Sequence, residues 1–169
     1  KTGADVSLYD GNEELDKEAL FEKLYEKKEI SLVLGNITKE DIEKYDLLVL
    51  SPGISVNAPI AQMFYDQEKP VWSEIELAYQ ASKGKIAAIT GTNGKTTTTA
   101  LTGEIMKGYY ESSFVVGNIG IPYTSVALDT QENSVITAEI SSFQLETIVD
   151  FKPDVCAVLN ITPDHLDRH

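Results

Sequence analysis

The segment Thr90-Gly91-Thr92-Asn93-Gly94-Lys95-Thr96-Thr97 follows an apolar stretch, Lys85-Ile86-Ala87-Ala88-Ile89, and leads into a run from Thr97 to Lys107 that suits a helix and is stopped by Gly108. The apolar stretch is β-branched and small enough to be a strand buried on both faces. A strand that turns on glycines into a helix start aims several backbone N–H groups, and the positive end of the helix dipole, at one point. The β-phosphate of ATP is a good occupant for that point. Gly91, Thr92, Asn93, Gly94, Lys95, Thr96 and Thr97 are therefore the candidate nucleotide-binding residues, with Lys95 reaching the β/γ oxygens and the Thr96 hydroxyl ligating Mg²⁺. The loop departs from G-x-x-x-x-G-K-[ST] in having Ile89 where the first glycine belongs. The competing reading is an ordinary turn with a solvated lysine, and the strand-before, helix-after context favours the phosphate loop.

Charge narrows the function classes. The net charge of −13 and pI near 4.5 argue against a nucleic-acid or anionic-membrane surface, which needs a basic face. An anionic substrate has to be held locally, by helix N-termini, Mg²⁺ and a few lysines. With 169 residues, 42% of them hydrophobic, the chain can bury one good core or two small ones. Cys156 is the single cysteine, so there is no intrachain disulfide, and in Val155-Cys156-Ala157-Val158-Leu159 it reads as a buried strand residue. No signal peptide and no apolar run of membrane-spanning length is present, which makes the cytoplasm the expected location.

In chain order, Lys1 to Asp5 reads as a helix end with a glycine cap, implying sequence upstream, and Val6 to Tyr9 as a strand. A charged helix with Leu20, Phe21, Leu24 and Tyr25 on its apolar stripe spans about Asp16 to Lys28. Ile30 to Leu34 is a strand, Thr38 to Lys44 a short helix and Leu47 to Leu50 a buried strand. Such alternation predicts a parallel sheet. Ser51-Pro52-Gly53-Ile54 then lies at the strand end where α/β sheets bind ligands, although a plain turn is an equal reading. Pro59 opens a helix to Gln67, and Pro70 to Trp72 is a short strand. Ser73-Glu74-Ile75-Glu76 has capping-box spacing at the start of a helix ending near Ser82. Lys83-Gly84-Lys85 is the candidate domain joint.

Beyond the phosphate loop, Phe114 to Val116 is a strand leading into Gly117-Asn118-Ile119-Gly120, which suits close approach to a ligand or a structural turn. Ser134 to Ile140 is a strand with Glu139 near its end, where a Mg²⁺-binding acid of the Walker-B kind falls. Ser141-Ser142 caps a helix from Phe143. Val155 to Leu159 is a last buried strand, delivering Asn160-Ile161-Thr162-Pro163-Asp164-His165-Leu166-Asp167 to the ligand edge, with His165 a candidate functional histidine.

The phosphate loop, Gly117-Asn118-Ile119-Gly120, Glu139-Ile140-Ser141-Ser142-Phe143-Gln144-Leu145-Glu146 and Asn160 to Asp167 together resemble the Mur ligases, the ATP-dependent amide-forming enzymes of peptidoglycan synthesis. The Ser-Ser-Phe-Gln-Leu-Glu stretch and Ser51-Pro52-Gly53-Ile54 resemble the D-glutamate-adding branch. The resemblance implies an α/β protein in two parts. Residues 1–83 correspond to a truncated Rossmann-like, UDP-sugar-binding domain without its opening strand, and residues 84–169 to the first half of a central P-loop ATPase domain. It further implies ATP and Mg²⁺ as cofactors, and UDP-N-acetylmuramoyl-L-alanine and D-glutamate as substrates. Lys95 and His165 are then catalytic, and Thr96, Glu139 and His165 hold metal. Ser51, Pro52, Gly53, Asn118, Ser141, Gln144 and His165 contact substrate. Asp10, at the end of the first strand, stands where a Rossmann acid meets a ribose. A monomer is expected, and the chain alone is expected to be inactive.

Two rivals compete. A diamino-acid-adding Mur ligase can carry the same phosphate loop. A switch GTPase should carry Asn-Lys-x-Asp and Asp-x-x-Gly, and neither occurs.

Overall fold

The computed structural model describes residues 2–23, 30–118, 120–164 and 166. The chain forms two compact units, Lys1–Asp46 and Leu47–His169.

In the first unit, β1 (Ser7–Asp10) pairs in parallel with β2 (Ser31–Leu34), Ser7 standing opposite Ser31 and Asp10 opposite Leu34. The intervening α1 (Lys17–Lys23) starts where the Asp16 carboxylate accepts the N–H groups of Glu18 and Ala19 at 2.9 and 3.2 Å. Leu24 and Tyr25 of the expected stripe lie outside the described residues. A capping box between Thr38 and Asp41 opens α2 (Lys39–Ile42). The expected helix end before β1 is not formed: Thr2 to Val6 lie in no regular element, although Gly3 is left-handed at φ +85°.

The second unit begins with β3 (Leu48–Leu50) and β4 (Val71–Ser73), a parallel pair joined through α3 (Pro59–Asp66). Pro59 sits at the first turn of α3, where a missing N–H costs nothing, and the helix turns Ile60, Ala61 and Phe64 inward. Next come α4 (Glu74–Ala81), β5 (Lys85–Thr90), α5 (Lys95–Lys107), β6 (Ser113–Gly117) and α6 (Tyr123–Val126). The unit is completed by β7 (Val135–Glu139), α7 (Ser142–Leu145) and β8 (Val155–Val158).

Strands β5 to β8 form one parallel sheet in the order β6-β7-β5-β8. Every residue of β7 is buried, as expected of an inner strand covered on both faces. One face packs Ile75 and Ala78 of α4 and Tyr123 of α6 against Ile86, Ala88, Ile136 and Ala138. α5 packs along β5, β6 and β7, close enough that a Cβ on Gly103 would overlap the Val115 side chain.

Two expectations are corrected. Among the described residues β8 pairs with β5 alone, and Cys156 is exposed, as are Val155 and Val158 at 65% and 59%. Apolar composition marks a strand without saying whether its faces are covered.

The second correction is at Ser73 and Glu76, which do not form a reciprocal box. The Ser73 hydroxyl accepts the Glu76 N–H at 3.3 Å, but the Ser73 N–H goes to the Thr147 carbonyl at 3.3 Å. The Glu76 carboxylate is instead fully buried. It accepts the N–H groups of Val149, Asp150 and Phe151 at 2.8, 3.1 and 3.0 Å, and the Gln80 amide at 2.8 Å. Three successive amides outcompete a single one.

Candidate nucleotide-binding site

The site is built where β5 runs into α5. Gly91 and Gly94 have φ of +137° and +84°, a backbone that side-chain-bearing residues rarely adopt, and they turn the chain from strand to helix in four residues. Gly94 caps α5 with no side-chain hydrogen bond, so the first-turn N–H groups have no intrahelical acceptor and face the loop. Lys95 folds back over this loop, its Nζ donating to the carbonyls of Gly91 at 2.7 Å and Thr92 at 3.0 Å. The ammonium and the helix start therefore share one place. Asn93 is exposed, as are Gly94, Thr96 and Thr97.

Thr96, the second residue of α5, donates its hydroxyl to Glu139 Oε2 at 3.0 Å. Glu139 ends β7, opposite Ile89 of β5 and Gly117 of β6, so strand register alone carries it to the phosphate loop. Its other oxygen accepts the Asn118 amide at 3.1 Å, and Asn118 N–H donates to the Glu139 carbonyl at 2.8 Å. Gly117 is left-handed at φ +116°, and a Cβ there would overlap the Glu139 carbonyl, which is why this turn needs glycine. Glu139 is 1% exposed and, among the described residues, both side-chain partners of its carboxylate are neutral. A buried carboxylate without a cationic partner is costly, and a hydroxyl beside a carboxylate is a hard oxygen donor set. These residues fit Mg²⁺, which takes one or two protein ligands and completes its shell with water and phosphate. Among the described residues no group of three or more His, Cys, Asp or Glu comes together as a metal cluster.

The remaining described candidates gather around α7 and the turn after β3. Ser141 and Gln144 form a capping box at α7: the Ser141 hydroxyl accepts the Gln144 N–H at 3.3 Å, and Gln144 Oε1 accepts the Ser141 N–H at 3.0 Å. Gln144 Nε2 donates to Glu74 at 3.3 Å. Ser51 and Pro52 meet Gln144, Phe143 and Thr147 across a crevice of about 10 Å³, room for one water. The Ser51 carbonyl accepts the Ile54 N–H at 2.9 Å, and a Cβ on Gly53 would meet nothing within 4 Å. His165, Ile119 and Asp167 lie outside the described residues.

Sequence reasoning named three further residues but missed their distant partners. Glu74 accepts the N–H and hydroxyl of Thr124 at 2.9 and 3.2 Å, and so ties α4 to α6. Glu76 does the same for the 149–151 turn. Asn160 bonds Asn93 of the phosphate loop through its side chain. Acids in the first turn of a helix signal dipole pairing, and only the fold supplies their distant partners.

Sheet order and loop geometry define an α/β protein of the phosphate-loop class. Residues 89–169 match the family model described as the Mur ligase middle domain. The chain is 57% identical over 169 residues to a UDP-N-acetylmuramoylalanine--D-glutamate ligase of Lachnospira eligens, covering 100% of this chain and 37% of that protein. A protein of the same name from Lachnoclostridium phytofermentans is 55% identical over 167 residues, covering 99% and 37%, and one from Clostridioides difficile 41% over 170 residues, covering 100% and 38%. The chain is thus similar to these ligases along its whole length, its residues 89–169 to the Mur ligase middle domain, and it spans little more than a third of the length of these relatives. Among solved structures, the UDP-N-acetylmuramate:L-alanyl-gamma-D-glutamyl-meso-diaminopimelate ligase of Neisseria meningitides overlays 96% of this chain and 55% of its own, with 16% identity and a TM-score of 0.49.

Proposed function

We propose that the natural full-length protein is an ATP-dependent ligase that joins D-glutamate to UDP-N-acetylmuramoyl-L-alanine. The observation that carries this reading is the meeting of Thr96, Glu139 and Asn118 at the phosphate loop, in a chain matching D-glutamate ligases along its whole length. A carboxylate is a poor electrophile, so amide formation begins by moving the ATP γ-phosphoryl group onto the alanyl carboxylate. The D-glutamate amine attacks the resulting acyl phosphate, and inorganic phosphate leaves.

Charge crowding is the main barrier to the first step. Lys95 and the first-turn amides of α5 answer it by holding the β- and γ-phosphates, aligned before the reaction begins. Thr96 and Glu139 would hold Mg²⁺, which supplies further charge neutralisation when bound. Asn118, bonded to Glu139, is suited to orient the alanyl end of the substrate. His165 is proposed to serve the same end of the site and a second metal. Ser51, Pro52 and Gly53 belong with the UDP-sugar side, and Ser141 and Gln144 line the path between.

Within this reading the UDP-sugar part extends to residue 83 and the ATP part starts at 84, near the start of the family match at residue 89; this division by role differs from the compact units, since residues 47–83 fold together with the ATP part. Residues 1–169, taken alone, bind without turning over. The protein works as a cytoplasmic monomer; no helix among the described residues is long and apolar enough to cross a membrane. Mass spectrometry of the reaction mixture tests the proposal. UDP-N-acetylmuramoyl-L-alanine should gain one glutamyl residue for each phosphate released, and phosphate release without that product would refute it.

A further inference from the structure

The phosphate loop is gripped from one side by the segment that leaves β8. Leu159 N–H donates to the Thr90 carbonyl at 2.9 Å and Thr92 N–H to the Asn160 carbonyl at 3.1 Å, extending the β5/β8 ladder past the strands' ends. Two side chains then close on peptide groups from both ends. Asn160 Oδ1 accepts the Asn93 N–H at 2.8 Å while its Nδ2 donates to the Asn93 carbonyl at 2.8 Å. In the opposite sense, the Thr92 hydroxyl donates to the Thr162 carbonyl at 3.1 Å and accepts the Thr162 N–H at 3.0 Å. Each segment thus offers the other one side chain that pairs with both polar groups of a single residue. The fit is close: a Cβ on Gly91 would stand 3.1 Å from the Asn160 N and O atoms.

We propose that Asn160 and Thr92 are positioning residues that set the nucleotide affinity of the phosphate loop, an inference that rests on the ATP reading above. The loop contains two left-handed glycines and its helix cap has no side-chain hydrogen bond, so beyond the Lys95 contacts to the Gly91 and Thr92 carbonyls little within it fixes the peptide planes at residues 92 and 93. The clasp fixes both. It also occupies the Asn93 N–H, which leaves the first-turn amides of α5 as the donors aimed at a phosphate. Amides held in place before binding lose little freedom when the anion arrives, and that preorganisation raises affinity. Asn160 touches no reacting atom; it acts through Asn93.

The test is calorimetric titration of the natural full-length protein with Mg-ADP, alongside KM values for ATP and for UDP-N-acetylmuramoyl-L-alanine. Asn160→Ala should weaken ADP about tenfold, the loss expected of one to two net hydrogen bonds. Thr92→Val should weaken it severalfold, and Thr92→Ser, which restores the hydroxyl, should return affinity to within about twofold of wild type. In both weakened variants KM for ATP rises while KM for the UDP substrate stays put, a split that general destabilisation does not give. Should Asn160→Ala fail to fold, the Thr92 pair carries the same comparison. ADP affinity within twofold of wild type in Thr92→Val and in any folded Asn160→Ala would overturn the clasp and leave the ligase reading standing. A wild-type protein that binds no ADP would remove both.

Discussion

Replacing Glu76 by alanine should destabilise the protein more than any change within the phosphate loop. The Glu76 carboxylate is fully buried and accepts three successive backbone N–H groups and the Gln80 amide. Hydrogen bonds to a charged group contribute about 1.5–3 kcal/mol each. Val149 and Asp150 are exposed, so water can take over two of the freed amides, and the net loss comes to about 3 kcal/mol. For a chain of this size that is about 6–12 °C in Tm.

The carboxyl also carries a pH signature. Burial pushes its pKa up, but the N–H donors of Val149, Phe151 and Asp150 and the Gln80 amide outweigh burial and hold it below the usual carboxylate value. The unfolded chain therefore takes up the proton first. The stabilisation is complete above the unfolded value of about 4.3 and is lost as pH falls through the lower folded value. Urea unfolding of wild type, Glu76→Ala and Glu76→Gln at neutral pH and across the acid range tests this. The gap between wild type and Glu76→Ala should be widest near neutrality and shrink in acid. Glu76→Gln should lose about half as much, because its carbonyl still accepts the turn amides. A gap under about 1 kcal/mol at neutral pH, or one that widens on acidification, would refute the reasoning.

Three further outcomes are expected. Lys95→Ala in the full-length protein should lower turnover by about 10²-fold or more, the scale for losing one donor to developing charge; near-normal turnover would remove the loop from the mechanism. Glu139→Gln keeps an acceptor for Thr96 or Asn118 but removes the charge that fits a cation, so the Mg²⁺ concentration for half-maximal turnover at saturating ATP should rise at least about tenfold. Gly117→Ala, at φ +116° and against the Glu139 carbonyl, should cost at least about 2 kcal/mol in urea unfolding, whereas Gly53→Ala, with open space around it, should stay within about 0.5 kcal/mol.

The turn from β5 into α5 was legible in the sequence because its conformation depends on local chemistry: a buried strand, two glycines and a helix start are neighbours in the chain. Glu139 was legible because parallel register carries a strand-end acid to that loop. Side chains whose partners lie far along the chain were not. Nothing within Ser73 to Glu76 indicates that amides 73 to 75 residues further on will take the carboxylate, and capping-box spacing suggested a local partner instead. Asn160 was visible at the ligand edge, but its grip on Asn93 follows from β8 adding next to β5. Cys156 was misjudged because strand order, which among the described residues leaves one side of β8 unpaired, is not a property of the strand's own residues.

The most direct measurement is ADP release by the full-length protein, given ATP and Mg²⁺ with UDP-N-acetylmuramoyl-L-alanine and D-glutamate, and separately with the UDP-muramoyl dipeptide and lysine or diaminopimelate. Release in the first mixture alone is the expected result. Release in the second alone would contradict the D-glutamate assignment while leaving the family in place, and release in neither would contradict the ligase reading itself.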